Sequence, residues 1–402
     1  MPRVLKIAQD FTRVNIKEMG KIINWMLAVI FICSGTLAGN AQNTGTFSIV
    51  TLNVDGLPQK ILVAKVNPDG PGGGGSVRIG HYLQKRGYDM VFMQEDFNYH
   101  EELTVPMEDD YQMDSWSGDV EVDGHQIDFL HLQNHRFGCD GLMGGWQKGI
   151  MLTSASRTPW TANFGKFSHA LDEMVTKGFR RYELTLPNGL QIVVYNMHMD
   201  AGDAADEREG KDSPDRDVRL KQWNQLRDDI LNRLDTRSVI VVGDLNSYYC
   251  RDQIKSNFID VIEATGRATV FDAWVELQND GKYPDPVSGI VCCETDGNIL
   301  ESGEVLDKVL YINPTGGTGI HAINYQLDTE GYRHDDKMLG DHYPVSVTFQ
   351  TGSRKQTGID EIVNSKSANH KLYNLHGQRV DGSTHGIVIE RNPEKSYKRI
   401  IK

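Results

Sequence analysis

Alternating and continuous runs of apolar residues predict a chain rich in β-strands. In the last run Val345, Val347 and Phe349 occupy every second position, which is the two-residue period of a strand. The same reasoning predicts strands at residues 47–52, 89–93, 149–153, 182–186, 190–195, 238–242, 305–312 and 343–349. Because the turn sequence PNG joins the runs 182–186 and 190–195, these two strands are predicted to form a hairpin.

Helical spacing occurs between the strands. Leu220, Trp223, Leu226, Ile230 and Leu234 recur at the period of a helix, and a second helix is predicted at 77–86. The preceding stretch DGPGGGGS, residues 69–76, predicts a flexible surface loop, and it lacks the Gly-Lys-Ser/Thr ending of a phosphate-binding loop. Hairpins interleaved with helices favour an α+β sandwich with the sheets inside and the helices outside.

The two ends of the chain differ from the middle. Lys17 and Lys21 precede an apolar run at 25–32, and small residues follow up to Ala41. This order predicts a signal peptide over 1–41, and the apolar run is short for a transmembrane helix. We therefore expect export to the periplasm, the outer membrane or the medium. The main domain is predicted at 42–350, and 351–402 is predicted to be a linker and a small C-terminal β-appendage, which resembles the sorting segments of some exported bacterial proteins.

Composition and charge narrow the possible partners. The chain has 402 residues, 39% of them hydrophobic and 24% charged, which is typical of a globular protein. Its net charge of −13 disfavours non-specific binding to a polyanion such as DNA and suits metal cations. An oxidising compartment would permit disulfides, whose pairing stays open, among four cysteines without zinc-site spacing: Cys139, Cys250, Cys292 and Cys293.

Polar side chains cluster at or near the ends of predicted strands, where a sheet-edge active site would lie. The residues in this position are Asn53, Glu95, His198, Asp244, Asn246, Asp307, Asp341 and His342. Each of them alone is equally compatible with a turn or a helix cap. The whole set points to chemistry at one edge of a sheet.

These residue types fit metal-assisted hydrolysis of a phosphoester. Glu95, Asn53 and Asp244 offer the oxygen ligands that Mg²⁺ prefers, with water and substrate phosphate completing the octahedron. His198 and His342 can be charged near neutral pH, so one can accept a proton from water and the other can stabilise phosphate oxygens. Asp307 could hold His342 in one tautomer. Because no Ser, Cys or Lys stands out as a nucleophile, direct attack by water is the expected route.

The motifs TLNVDGL, FMQED, NMHMDA, VVGDLNS, LDKVLYI and GDHYPV resemble, in order, those of the endonuclease/exonuclease/phosphatase superfamily. The resemblance extends from about residue 47 to residue 349. It implies a four-layered α/β sandwich, in which two packed mixed sheets are flanked by helices. It also implies Mg²⁺ at Glu95, with Mn²⁺ or Co²⁺ as substitutes, and with Asn53, Asp244 and Asp341 as neighbouring or second-site ligands.

The same resemblance implies a role for each remaining residue of the cluster. His342 would be the general base, oriented by Asp307 or Asp341. Asn246 would position the attacking water or a phosphate oxygen, and His198 would stabilise the transition state.

Three further segments are similar to secreted bacterial sphingomyelinases. These segments are Lys177-Gly178-Phe179, Met197-His198-Met199-Asp200-Ala201 and the helix opening SPDRDVRLKQWNQL with Arg219. The likeness implies a phosphosphingolipid substrate that contacts Lys177, Asn246 and His198, peripheral contact with a membrane, and a monomer. Asp200 departs from the family pattern, which has Gln there, so the head-group contacts differ.

Other functions remain open at this point. Between residues 312 and 341 no Trp or Phe pair resembles the membrane-inserting hairpin of some secreted family members, so Trp116, Trp146 and Trp160 are alternative docking residues, or core residues. A secreted deoxyribonuclease I-like nuclease would use the same site with a basic groove. An inositol phosphate phosphatase would need more Lys and Arg than Lys177, Arg180 and Arg181. A binding module without catalysis is a further class, although every ligand position of the family pattern is filled.

Overall fold

The computed structural model describes residues 45–61, 63–114, 120–122, 125–127, 140–162, 177–201, 214–252, 254–285 and 297–352, and short strands in the C-terminal tail. The predicted signal peptide and most of the predicted linker lie outside these ranges. Trp116, Cys139, Cys292 and Cys293 also lie outside them. Cys250 is described and is a free, half-buried thiol, so the disulfide pairing stays a prediction.

Within the described ranges, eighteen strands belong to the main unit. Their bounds are β1 Thr46–Asn53, β2 Lys60–Ile61, β3 Ala64–Lys65, β4 Met90–Gln94, β5 Tyr111–Met113, β6 Val120–Val122, β7 His125–Ile127, β8 Met143–Gln147, β9 Met151–Pro159, β10 Gly178–Thr185, β11 Gln191–His198, β12 Ser238–Asp244, β13 Ala268–Asp272, β14 Asp307–Pro314, β15 Ile320–Leu327, β16 Arg333–His334, β17 Lys337–Met338 and β18 Val345–Thr351.

Helices lie between these strands. Their bounds are α1 Gly72–Arg86, α2 His100–Thr104, α3 Pro214–Arg233, α4 Tyr249–Asp252, α5 Asp260–Ala264 and α6 Ala273–Gln278, with a 3₁₀-helix at Val105–Met107 and a π-helix at Lys255–Ile259. None of the helices within the described ranges is long and apolar enough to cross a membrane.

Two six-stranded sheets form the body of the main unit. Sheet A has the order β15-β18-β1-β4-β8-β5, and sheet B has the order β13-β14-β12-β11-β10-β9. Each sheet is mixed, because β1 and β4 are parallel in sheet A and β11 and β12 are parallel in sheet B, among antiparallel neighbours. The predicted hairpin is confirmed, since β10 and β11 pair antiparallel.

The two sheets pack face to face, with helices on their outer faces. Alternate residues of β1 divide between the layers: Phe47 and Ile49 belong to the core cluster shared with sheet B, whereas Val50 and Leu52 belong to the cluster around α1. On the other side of the sandwich, Tyr195 of β11 donates a hydrogen bond to Asp229 of α3, 2.8 Å away. The predicted α+β sandwich is confirmed.

The glycine stretch before α1 differs from its prediction as a flexible loop. Helix α1 begins at Gly72, and the Ser76 hydroxyl donates to the Gly72 carbonyl at 3.0 Å. Gly72, Gly75, Ser76 and Gly80 are buried on one face, and a Cβ on Gly80 would lie 2.2 Å from the Leu103 carbonyl oxygen. Burial of this face therefore outweighs the low helix propensity of glycine, and the prediction of a flexible loop was wrong from residue 72 onwards.

Two tryptophans considered as docking residues are in the core. Trp146 and Trp160 are each 2% exposed, and the Trp160 indole donates to the His198 carbonyl oxygen at 2.8 Å. Neither side chain can insert into a lipid surface from this position, so both are core residues and not docking residues.

Residues 353–402 form a second compact unit. It contains β19 Lys371–Tyr373, β20 Arg379–Val380, β21 Gly386–Arg391 and β22 Ser396–Ile401, which form an antiparallel sheet in the order β20-β19-β21-β22. The strands predicted for the C-terminal appendage are therefore present.

Candidate active site

The strand register brings the predicted polar residues to one edge of the sandwich. In sheet B, His198 is paired with Asp244, and Asp244 is paired with Asp307 on the next strand. In sheet A, Asn53 is paired with Gln94, so Glu95 follows directly beside it. Gly243 permits the close approach of β12 to β11, because its φ is +144° and a Cβ would lie 2.0 Å from the Met197 carbonyl oxygen.

Asn53 connects the two sheets through carboxylates. Its Nδ2 donates to Glu95 Oε1 at 3.0 Å and to Asp244 Oδ2 at 3.0 Å, while its Oδ1 accepts from the backbone N–H of Asp55 at 3.0 Å. The sequence predicted an oxygen ligand for a metal at Asn53. Here the amide nitrogen faces the carboxylates, and the oxygen faces the backbone, so Asn53 holds Glu95 and Asp244 together.

His342 forms a buried pair with Asp307. Its Nδ1 lies 2.5 Å from Asp307 Oδ2, and its Nε2 lies 3.7 Å from Asp244 Oδ2. Burial alone would lower the pKa of His342, but Asp307, Asp244 and Asp341 outweigh burial and raise that pKa well above its usual value. Asp307 therefore contacts the ring at Nδ1, and Nε2 lies on the side of the Asp244 carboxylate.

His198 lies on the other side of the same carboxylates. Its Nε2 is 3.5 Å from Asp244 Oδ2 and 3.8 Å from Glu95 Oε1. Burial lowers the pKa of His198 well below its usual value, and the nearby Lys177 and His342 add to this effect despite the attraction of Asp244. The two histidines are therefore not equivalent, although the sequence suggested that both could be charged near neutral pH.

Asp244 is the centre of this arrangement. Burial alone would raise its pKa, but His342, His198 and Asn53 outweigh burial and lower it below the usual value. The backbone N–H of Asn246 donates to Asp244 Oδ1 at 3.0 Å, and Asn246 has a left-handed φ of 44°. These neighbours thus favour the carboxylate form of Asp244, and two hydrogen bonds hold its side chain.

Lys177 and Asn246 converge on one carbonyl group. Lys177 Nζ donates to the Met199 carbonyl oxygen at 3.3 Å, and Asn246 Nδ2 donates to the same atom at 3.1 Å. Lys177 is 4% exposed. Since Met199 directly follows His198, both predicted substrate contacts lie beside that histidine, with a buried positive charge next to the carboxylates.

Asp55 was not singled out from the sequence. It is 8% exposed, Asn67 donates a hydrogen bond to its Oδ1, and burial, Asp341 and Glu95 raise its pKa to about 8. Its position two residues after Asn53 in TLNVDGL was the signal that could have identified it.

Asn298 was also missed, because it lies in no predicted element. Its Nδ2 is 3.2 Å from His342 Nε2, its φ is +56°, and Tyr248 Oη donates to its carbonyl oxygen at 2.8 Å. No strand-end pattern in the sequence marks this residue. Only the folded chain brings it to the imidazole.

The donor set fits a hard divalent cation. The Asp55, Glu95, Asp244 and Asp341 carboxylates repel one another, and burial together with Asp341 raises the pKa of Glu95 to about 7. In the described part of the chain no group of three His, Cys, Asp or Glu side chains is already arranged around a metal position. Mg²⁺ needs only one or two carboxylates with water and phosphate, so Glu95 and Asp244 are the residues that would hold it.

We expect Asp55→Asn to become progressively more stable than the unchanged protein as the pH rises from about 4 to about 8. The pKa of Asp55 rises from its ordinary 3.8 to about 8 on folding, so between these values the folded state retains a proton that the unfolded state has lost. Stability conferred by that proton decreases as the pH rises.

Urea denaturation in EDTA across this pH range would measure the difference in unfolding free energy between the two proteins. Asp69→Asn, which changes an exposed carboxylate, is the control. A difference that is constant with pH would contradict the shifted pKa of Asp55.

Comparison with solved structures identifies the fold. An endonuclease/exonuclease/phosphatase family protein from Bacteroides thetaiotaomicron aligns with a TM-score of 0.50 at 14% identity, over 78% of this chain and 98% of that chain. A D. rerio TDP2 complexed with single strand DNA product aligns with a TM-score of 0.48 at 16% identity, over 76% and 99% of the two chains. The chain thus has the fold predicted from its motifs.

A curated protein from mycobacteria is similar to part of the chain. A sphingomyelinase of Mycobacterium tuberculosis, also present in Mycobacterium bovis, is 28% identical over 177 residues. The match covers 44% of this chain and 31% of the mycobacterial protein, so the chain spans about a third of the curated relatives that it matches. No protein-family model matches the chain.

Proposed function

We propose that the protein is a Mg²⁺-dependent phosphodiesterase that hydrolyses its substrate by direct attack of water. The observation that carries the proposal is the buried His342–Asp307 pair, whose Nε2 faces the Glu95–Asn53–Asp244 cluster. A proton acceptor beside a carboxylate cluster is what activation of water next to a phosphate requires.

The residues of the chain would divide the work. His342 would accept the proton of the attacking water at Nε2, while Asp307 holds its Nδ1–H. His198, held neutral by its surroundings, would donate a hydrogen bond to a phosphate oxygen, and Lys177 would add positive charge. Bound Mg²⁺ would polarise the phosphoryl group and offset the carboxylate charge that keeps His342 protonated.

We propose a phosphosphingolipid as the substrate, cleaved to ceramide and a phosphorylated head group. The support is the 28% identity to a mycobacterial sphingomyelinase over 177 residues and the segments 177–179 and 197–201. The net charge of −13 disfavours a nucleic acid substrate. The expected setting is an exported monomer that contacts membranes peripherally.

Turnover of two substrates tests the proposal. Purified protein from residue 42 would be incubated with sphingomyelin vesicles and, in parallel, with plasmid DNA, each with Mg²⁺ and with EDTA. Metal-dependent release of the phosphorylated head group with intact DNA supports the proposed function. Nicked DNA with intact lipid would show that the protein is a nuclease. If neither substrate is cleaved, the protein hydrolyses neither sphingomyelin nor DNA, and the proposal is contradicted.

We expect Asn298→Gly to lower kcat by about 3- to 10-fold, the value of one hydrogen bond. Glycine accepts the left-handed φ of +56°, so the variant removes the amide next to His342 Nε2 without backbone strain. Asp280→Gly is the matched control, because Asp280 has a φ of 52° and is exposed. Equal kcat values for the two variants would show that Asn298 does not position His342.

A further inference from the structure

A small hairpin at the edge of the candidate site carries the most exposed large apolar side chain in the described part of the chain. Strands β2 and β3 pair Lys60 with Lys65 and Ile61 with Ala64. The sequence from 60 to 65 is KILVAK, so four apolar residues stand between two lysines. Val63, at the turn, is 99% exposed, and both lysines are exposed.

The base of this hairpin is attached to the candidate site. The backbone N–H of Val66 donates to the Gln59 carbonyl oxygen at 3.1 Å, and that of Asn67 donates to the Pro58 carbonyl oxygen at 3.1 Å. The Asn67 side chain then donates to Asp55, whose own backbone N–H is bound by Asn53. The hairpin therefore rises from the same edge as the carboxylate cluster.

A second attachment joins the hairpin to the loop after Glu95. The backbone N–H of Gln59 donates to Tyr99 Oη at 3.3 Å, and Gln59 Nε2 donates to the Gly70 carbonyl oxygen at 2.8 Å. The base is thus held from both sides, while the turn extends into solvent.

Three features of the hairpin are unfavourable in water. Like charges directly opposite each other on paired strands repel, and Lys60 and Lys65 are in that arrangement. An isolated pair of two-residue strands gains little stability by itself. Val63 keeps its whole apolar surface in water, and exposed lysines stand on both sides of it on a chain with a net charge of −13. An anionic apolar surface would compensate for all three features together.

We propose that hairpin 60–65 docks the protein onto a lipid surface that carries anionic phosphate groups. Val63 would enter the apolar boundary of the membrane, and Lys60 and Lys65 would lie at the level of the lipid phosphates. The candidate site would then face the membrane from which a phospholipid substrate comes. The biological reason rests on the proposed function, but docking is a binding property that can be measured without turnover.

Vesicle flotation in EDTA tests the docking. The purified protein from residue 42 would be mixed with vesicles of phosphatidylcholine and phosphatidylglycerol, and with vesicles of phosphatidylcholine alone. We expect tighter binding to the anionic vesicles and about tenfold weaker binding for Val63→Asp. Lys60→Gln and Lys65→Gln should each weaken binding by about fivefold, and added salt should remove that effect.

Met151→Asp is the matched control. Met151 is 62% exposed and pairs with Thr185, at the end of β10 opposite to the end that meets His198 on β11. The Met151→Asp variant should bind vesicles as the unchanged protein does. Because the lysine substitutions remove like-charge repulsion, they should leave the hairpin folded, which keeps the test independent of folding.

The outcomes separate docking from catalysis. Selective weakening by the Val63 and lysine substitutions supports the inference. If Val63→Asp binds the vesicles as tightly as the unchanged protein does, the inference is overturned. A protein that floats as expected and hydrolyses no lipid contradicts only the proposed function. Turnover of sphingomyelin with unchanged flotation of all variants contradicts only the docking.

Discussion

Replacing His342 with alanine should lower kcat for phosphodiester hydrolysis by about 10²- to 10⁴-fold, the usual contribution of a general base. The physical reason is the position of Nε2, 3.7 Å from Asp244 Oδ2, on a ring whose Nδ1 is held by Asp307 at 2.5 Å. Alanine leaves no group there that can accept the proton of water. The measurement is kcat with saturating Mg²⁺ on the substrate identified by the two-substrate assay.

Two controls keep this result interpretable. His334→Ala removes an imidazole whose side chain is 50% exposed, and it should retain full activity. Circular dichroism and thermal unfolding would show that His342→Ala still folds. Asp307→Asn should also lower kcat, because the neutral amide cannot stabilise the positive charge that the His342 imidazole gains on accepting a proton. A folded His342→Ala variant with most of its activity would exclude the role of His342 as the base.

Replacing Glu95 with glutamine should weaken Mg²⁺ binding by more than about 100-fold. Replacing a residue that only hydrogen-bonds to a metal ligand costs about 10- to 100-fold in affinity, so a larger loss indicates direct ligation. Glu95 accepts from Asn53, and burial with Asp341 raises its pKa to about 7. The substitution keeps the shape of the side chain and removes one negative charge from the carboxylate cluster. Isothermal titration with Mg²⁺ in the absence of substrate measures this loss directly.

Glu108→Gln is the control for the change of charge, since Glu108 is exposed and lies at the end of the 3₁₀-helix. It should bind Mg²⁺ as the unchanged protein does. Glu95→Gln should also lose turnover in proportion to the Mg²⁺ affinity when the metal is limiting. An unchanged Mg²⁺ affinity of the Glu95→Gln variant would show that Glu95 is not a metal ligand, even if the variant lost activity.

Much of the candidate site could be predicted, because its residues are tied to strand ends. Strands of period two and the residues that follow them are local features, so Glu95, Asp244 and His198 lie at strand ends as predicted, but the ends belong to two different sheets. Helix α1 was mispredicted at its start for the opposite reason. Gly72, Gly75 and Ser76 at this start are buried in the folded chain, and burial depends on residues that are distant in the sequence.

The chemical state of the site required the folded chain. The sequence treated His198 and His342 as similar, whereas their pKa values move in opposite directions because of different neighbours. Asn53 was identified by its motif, but its amide orientation depends on Glu95 and Asp244, which come from different strands. Desolvation and charge pairing act through space, so a linear pattern cannot report them.

By itself the sequence determined the fold class of the protein: an α+β chain whose acidic, amide and imidazole residues recur at strand ends. The tertiary structure alone decided the contact of Asn298 with His342, the buried position of Asp55 and the exposed hairpin at 60–65. Apolar periodicity is a property of neighbouring residues and survives in a sequence. Burial, electrostatic coupling and exposure are properties of residues that meet only when the sheets pack.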